Sequence, residues 1–137
     1  MTCCIDDLYC AETVLKEIAE KNNISSPLIP RIATGLCSGM ARTNGPCGAL
    51  TGGILALNLM LGRDDKTTSV ERNYAAVQEL TEKFNQAHGS LHCSELLGCD
   101  LSTPEGQRQY NEQNLGLRCN ELSQSCITLV NEILEQA

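Results

Sequence analysis

The side chains of this sequence best able to do chemistry are its nine cysteines, in a chain of 137 residues. They stand at positions 3, 4, 10, 37, 47, 93, 99, 119 and 126, and Cys47 opens the string Cys47-Gly48-Ala49-Leu50-Thr51-Gly52. Thiolates bind soft metals and exchange with disulfides, so metal binding and thiol redox chemistry are the first expectations. Spacing narrows the choice. There is no Cys-x-x-Cys pair, which zinc ribbons and fingers use twice to deliver thiolates to one tetrahedral ion. The closely spaced cysteine run of bacterial ferredoxins is absent, and so is Cys-x-x-Cys-His, the attachment site of c-type haem. The odd cysteine count argues against an extracellular disulfide framework. Met1-Thr2-Cys3-Cys4-Ile5-Asp6-Asp7 also lacks the basic and apolar regions of a signal peptide. A reducing cytoplasm is the expected compartment.

Other chemistry is thinly represented. His88 and His92 stand near Cys93, but a histidine at a helix C-terminus and one in a loop explain them without a metal. Arg42 and Arg63 flank an apolar segment, where solvated helix ends are the ordinary reading. The carboxylates are dispersed, and no Ser/His/Asp arrangement, P-loop or dinucleotide fingerprint occurs, so no catalytic constellation is assigned. The formal net charge of -7 disfavours nucleic acid and anionic lipid as partners. Three Tyr, one Phe and no Trp leave no stacking platform for single strands. The stretch from Ala49 to Leu61 is too short and too mixed to insert in a membrane.

The elements that must position the thiols read as helices nearly throughout. Cys4, Leu8, Ala11, Leu15 and Ile18 draw one stripe over a helix from about Ile5 to Lys21. Ser26-Pro27 reads as the start of a second helix, striped by Ile29, Ile32, Ala33, Leu36 and Met40. A third begins near Pro46 or Cys47 and ends at Leu61. It is apolar on every side, as a helix buried in a bundle would be. Thr68 and Glu71 suggest a capping box for a fourth, striped by Val70, Tyr74, Val77, Leu80, Thr81 and Phe84 and closed by His88-Gly89. Leu91 to Leu97 reads as a short helix, and Ser102-Thr103-Pro104-Glu105 starts another. A last helix from about Cys119 to Leu134 carries Cys119, Leu122, Cys126, Leu129 and Ile133 on one line. No strand is expected. The predicted architecture is one all-α domain over 1–137, a bundle of four or five main helices with short ones added.

At Cys47-Gly48-Ala49-Leu50-Thr51-Gly52 the chain resembles a family of redox-active proteins defined by four cysteines in the order Cys, Cys-Gly-Ala-x-x-Gly, Cys, Cys. Cys10-Ala11-Glu12-Thr13-Val14-Leu15 is similar to its first cysteine helix. Gly39-Met40-Ala41-Arg42 precedes the central motif and Leu59-x-x-Gly62-Arg63 follows it. Gly89-Ser90-x-x-Cys93-x-x-Leu96-Leu97-Gly98 and Cys126-x-x-x-Val130-x-x-Ile133-Leu134 resemble the third and fourth segments. A similar domain occurs in split-Soret cytochromes, where it is associated with an iron–sulfur centre. The resemblance therefore implies redox work or iron–sulfur binding, with Cys10, Cys47, Cys93 and Cys126 as the ligand set. Cys3, Cys4, Cys37, Cys99 and Cys119 fall outside that pattern.

Thiolates from distant segments can converge inside a helical bundle, and an iron–sulfur cluster asks for about four of them in a pocket that limits water. Cys47 at a helix N-terminus is suited to this, because free amides and the helix dipole favour a thiolate. Cys37, Cys119 and Cys99 are second-rank candidates, with room for a larger or second cluster. The bland alternative is that cysteine is often simply a small buried hydrophobe. Two functional alternatives stay open: a metal-free thiol–disulfide protein with Cys47 as nucleophile, and a module in which four thiolates close a structural zinc site. Cys119 and Cys126 lie about 10 Å apart along one helix, too far for a disulfide between them. The leading expectation is a small iron–sulfur protein for electron transfer or redox sensing. It would work with a redox partner protein, and the all-round apolar third helix suggests a homodimer.

Overall fold

The computed structural model describes residues 8–137. Cys3, Cys4 and the first turn expected of the opening helix lie outside the described residues. The chain runs as α1 (Cys10–Lys21), a 3₁₀ helix (Arg31–Leu36), α2 (Cys37–Arg42), α3 (Gly48–Leu61), α4 (Glu71–His88), α5 (Cys93–Leu97), α6 (Pro104–Glu112) and α7 (Gly116–Gln136). There is no strand among the described residues, only an isolated antiparallel bridge between Pro46 and His92. The fold is all-α, as the periodicity predicts. No helix among the described residues is long and apolar enough to cross a membrane.

Helix α1 is set by its stripe: Ala11, Val14, Leu15 and Ile18 have no exposed surface. It starts at Tyr9, where Glu12 Oε1 accepts the Tyr9 N–H at 3.1 Å and satisfies one of the orphan donors of the first turn. Helix α3 is the central element and packs against α1, α4 and α7. Its glycines permit that crowding. A Cβ on Gly52 would lie 2.6 Å from the Ala11 carbonyl oxygen and 2.7 Å from the Ala11 Cα, so the backbones of α1 and α3 touch there. The buried arc of α3 is Gly48, Ala49, Leu50, Gly52, Gly53, Ala56 and Leu57. Its opposite arc, with Ile54, Leu55 and Leu61, is only partly covered and Asn58 is exposed. Being apolar all round has not buried this helix all round.

Helix α4 contributes Ala76, Leu80 and Phe84 to the core and ends at Gly89, whose φ of 83° suits a glycine cap. Its start differs from the expected box: the Glu71 N–H is taken by Ser69 Oγ at 3.1 Å. Helix α6 begins as read, with Thr103 Oγ1 accepting the Gly106 N–H at 2.9 Å and Pro104 in the first position. Helix α7 begins three residues before Cys119.

The second expected helix is the main departure. Pro30 has no N–H and crowds the preceding turn, so residues 27–30 form a turn and only a short 3₁₀ helix follows. Ile32 is 52% exposed and only Ala33 of this short helix is buried. The chain then reverses hand. Ser38, Gly39, Met40 and Ala41 inside α2 have φ between 57° and 69° and positive ψ, and Arg42 has φ 67°. This is a left-handed turn, and each non-glycine residue in it costs roughly 1–2 kcal/mol. Three hydrogen bonds hold it. The Thr43 and Gly45 N–H groups reach the Gly39 carbonyl at 3.2 and 2.9 Å, and Thr43 Oγ1 donates to the Met40 carbonyl at 2.7 Å.

Candidate functional site

Seven cysteines lie among the described residues, all of them buried and none in a disulfide. Helix starts gather four of them. Cys10 is the first residue of α1, Cys47 is the N-cap of α3, Cys93 is the first residue of α5, and Cys119 sits in the first turn of α7. Together with Tyr9, Tyr110, Ser38, Gly48 and four leucines they line one cavity of about 20 Å³. Among the described residues the lining contains no carboxylate, lysine or arginine.

Two backbone devices bring these thiols together. The segments before α3 and α5 clasp each other: the Cys47 N–H donates to the Leu91 carbonyl at 2.7 Å and the Cys93 N–H to the Gly45 carbonyl at 3.1 Å. This small ladder around Pro46 and His92 fixes Cys47 beside Cys93. The second device is the missing side chain of Gly48. A Cβ there would lie 3.1 Å from Cys10 Cβ and 3.2 Å from Cys37 Cα, so glycine lets the start of α1 close onto the start of α3. Within Cys47-Gly48-Ala49-Leu50-Thr51-Gly52, then, cysteine supplies the donor and the glycines supply the proximity.

Burial dominates the electrostatics. It pushes the Cys93 thiol up to about 12, with the neighbouring Cys47, Cys119 and Cys99 sulfurs adding to the rise. Burial takes Cys47 to about 11, while the Ala49 and Leu50 amides at the start of α3 pull the other way. Cys37 also reaches about 11 through burial, opposed by the Glu12 and Ala11 amides at the start of α1. Without a metal these thiols are protonated at neutral pH, which does not suit a free nucleophile. A metal reverses this, since ligating thiols must lose their protons.

The other candidates are placed differently. Cys126 lies two turns beyond Cys119 with no exposed surface, and it is not part of the cavity wall. Its sulfur fills the space left by Gly53, where a Cβ would come within 2.6 Å of it. Burial raises its thiol strongly. Cys37 faces Glu12, its Sγ 3.8 Å from Oε1, and lines a separate surface cleft. Cys99 is buried close enough to Cys93 for their charges to interact but does not line the cavity. His88 turns its Nε2 to Ser125 Oγ at 2.9 Å, with its ring 4.7 Å from that of Phe84. Its pKa is lowered by burial and by Arg118. His92 is exposed.

Sequence reasoning gave Cys119 second rank and passed over both tyrosines. Tyr110 is buried and its hydroxyl donates to Cys119 Sγ at 3.8 Å. A usable signal for Cys119 existed: it stood at the expected start of its helix, as Cys47 did, whereas Cys126 stood mid-helix. As donors, four thiols around one void suit a soft metal or an iron–sulfur cluster. The void itself admits one water-sized body, and no three His, Cys, Asp or Glu side chains among the described residues are grouped tightly enough to grip a metal ion. Holding a metal centre therefore requires the walls to move.

No curated protein matches the chain, and no solved structure does. A family model does match, over residues 8–133, and so takes in the thiols of α1, α3, α5 and α7 described above. By that match the chain belongs to the family described as "Putative redox-active protein (C_GCAxxG_C_C)".

Proposed function

We propose that this protein holds an iron–sulfur cluster at the starts of its helices and uses it for electron transfer or redox sensing. One observation carries the reading: four thiols from four different helices line a single cavity with no competing charged side chain among its described residues. Cys10, Cys47 and Cys93 are three of the ligands we assign. Cys119 is the fourth by its position on the cavity, with Cys126 packed behind it. The bound cluster would supply reversible one-electron transfer. The chain's own part is to exclude water with Leu97, Leu101 and Leu122, and to offer the amides of Ala49 and Leu50 beside the Cys47 sulfur. The Tyr110 hydroxyl donates to the Cys119 sulfur. Such hydrogen bonds are among the levers that set a cluster's potential.

The physiological setting we infer is the cytoplasm, where thiols stay reduced, with a partner protein that gives or takes electrons. The test is purification without oxygen followed by iron, acid-labile sulfide and zinc analysis. A brown protein with iron and sulfide is the expected outcome. A colourless protein filled with zinc would replace this reading with a structural metal site. A colourless, metal-free protein whose thiols pair on oxidation would replace it with thiol–disulfide chemistry.

A further inference from the structure

Beside the thiol cavity lies a second, polar cleft of about 150 Å³. Tyr9, Ser38, Leu101 and Tyr110 are shared by the two, so they form the wall between them. The far side of the cleft is made by Arg42, Gln107 and Asn111. Among the described residues Arg42 is the only charged side chain lining it, in a protein of net charge -7. It makes no ion pair with the described residues. Its position comes from the left-handed turn, which sets Ser38 and Arg42 on the same cleft while Gly39 packs inward. A Cβ on Gly39 would lie 2.8 Å from Cys93 Cβ. One strained turn thus touches the thiol site on its inner side and presents a guanidinium on its outer side. Strain of this kind concentrates at ligand clamps and active sites.

We propose that this cleft binds a small organic carboxylate next to the thiol site. The guanidinium fork matches a carboxylate in two parallel hydrogen bonds. The Tyr9 and Tyr110 rings and Leu101 offer an apolar wall for a short carbon skeleton. Ser38 and Asn111 add polar groups, and Gln107 is held in place by its amide's 2.9 Å bond to the Leu101 carbonyl. The carboxylate's role beside a redox centre rests on the function proposed above, but its binding does not.

The probe is sodium propionate, observed by saturation-transfer NMR with the full chain as purified. Saturable transfer is expected in the wild type. Arg42→Gln should weaken it at least about fivefold, the loss expected for one unit charge at contact distance in water, and Arg42→Lys should keep part of it. Arg42 is exposed, so the variants should fold, and Arg63→Gln, at a distant cleft, should behave as wild type. No transfer in the wild type would overturn the proposal, as would equal binding by Arg42→Gln. Displacement of propionate by an equal concentration of sulfate would overturn the organic class of the ligand. Metal analysis reads the thiols alone and this titration reads the cleft alone, so either idea can fail without the other.

Discussion

At the scale of single residues, the four-cysteine pattern and the cavity disagree about one thiol, and mutation decides between them. Cys47→Ser replaces a soft thiolate with a hard, poorly ionised hydroxyl at the N-cap of α3, and should strip most of the iron. Cys119→Ser should do the same if the cavity defines the ligand set. Cys126→Ala should instead keep its iron and lose about 1–2 kcal/mol of stability, since it removes a fully buried sulfur packed against Gly53. Cys99→Ser, off the cavity, should retain most of the cluster. Iron content and visible absorption of the four variants, prepared without oxygen, provide the comparison. Iron loss in Cys126→Ala with full loading in Cys119→Ser would restore the four-cysteine pattern.

At the scale of elements, most of the scaffold was legible because apolar periodicity is local. The stripes of α1 and α7 and the Thr103-Pro104 start of α6 could be read directly, whereas of the expected α4 stripe only Leu80 and Phe84 are buried and Tyr74 is 54% exposed. What could not be read was the hand of the chain at Ser38–Arg42, because in Ser-Gly-Met-Ala-Arg only Gly39 tolerates a left-handed turn freely. Packing of Gly39 onto Cys93 and the bonds to the Gly39 carbonyl impose it. This yields an inversion of the usual rule. Ala→Gly inside an ordinary helix costs about 1 kcal/mol, but Ala41 has φ 58° and is exposed. Ala41→Gly should therefore raise stability by about 0.5–1 kcal/mol, the relief of left-handed strain less the added freedom of glycine. Gly52→Ala should go the other way despite alanine's better helix propensity. Its Cβ would press on the Ala11 backbone, which cannot rotate away, and overpacking of this kind costs roughly 1–3 kcal/mol. Urea denaturation of both variants measures the two signs.

At the scale of the whole molecule, the buried thiols tie stability to pH and to metal. An unfolded cysteine ionises near about 8.5, whereas folding holds Cys37 and Cys47 at about 11 and Cys93 at about 12. Between those limits the folded chain keeps protons that the unfolded chain has released. Stability is therefore fully present below about pH 8.5 and falls as pH rises through 11 to 12. The metal-free protein should show a urea midpoint that declines above pH 9. Alanine at Cys93 should flatten the decline, and a flat wild-type profile would mean the thiols are better hydrated than their burial indicates.

Assembly follows from the same uneven burial. Helix α3 is apolar on nearly every side, Asn58 apart, yet the described residues bury only the arc around Gly52 and Ala56 and leave Ile54, Leu55 and Leu61 half covered. A helix of that composition gains by further burial, at about 25 cal/mol per Å² of apolar surface removed from water. A second copy presenting the same face across a two-fold axis is the simplest cover, since such an interface needs only one self-complementary patch. We therefore expect a dimer by sedimentation at micromolar concentration, and Leu55→Glu should shift it to monomer while leaving the cavity thiols and their metal content unchanged. A wild-type monomer at that concentration would remove the dimer. The half-covered face of α3 would then be an ordinary apolar surface of a small protein, with its close packing confined to the glycine side that holds Cys10 against Cys47.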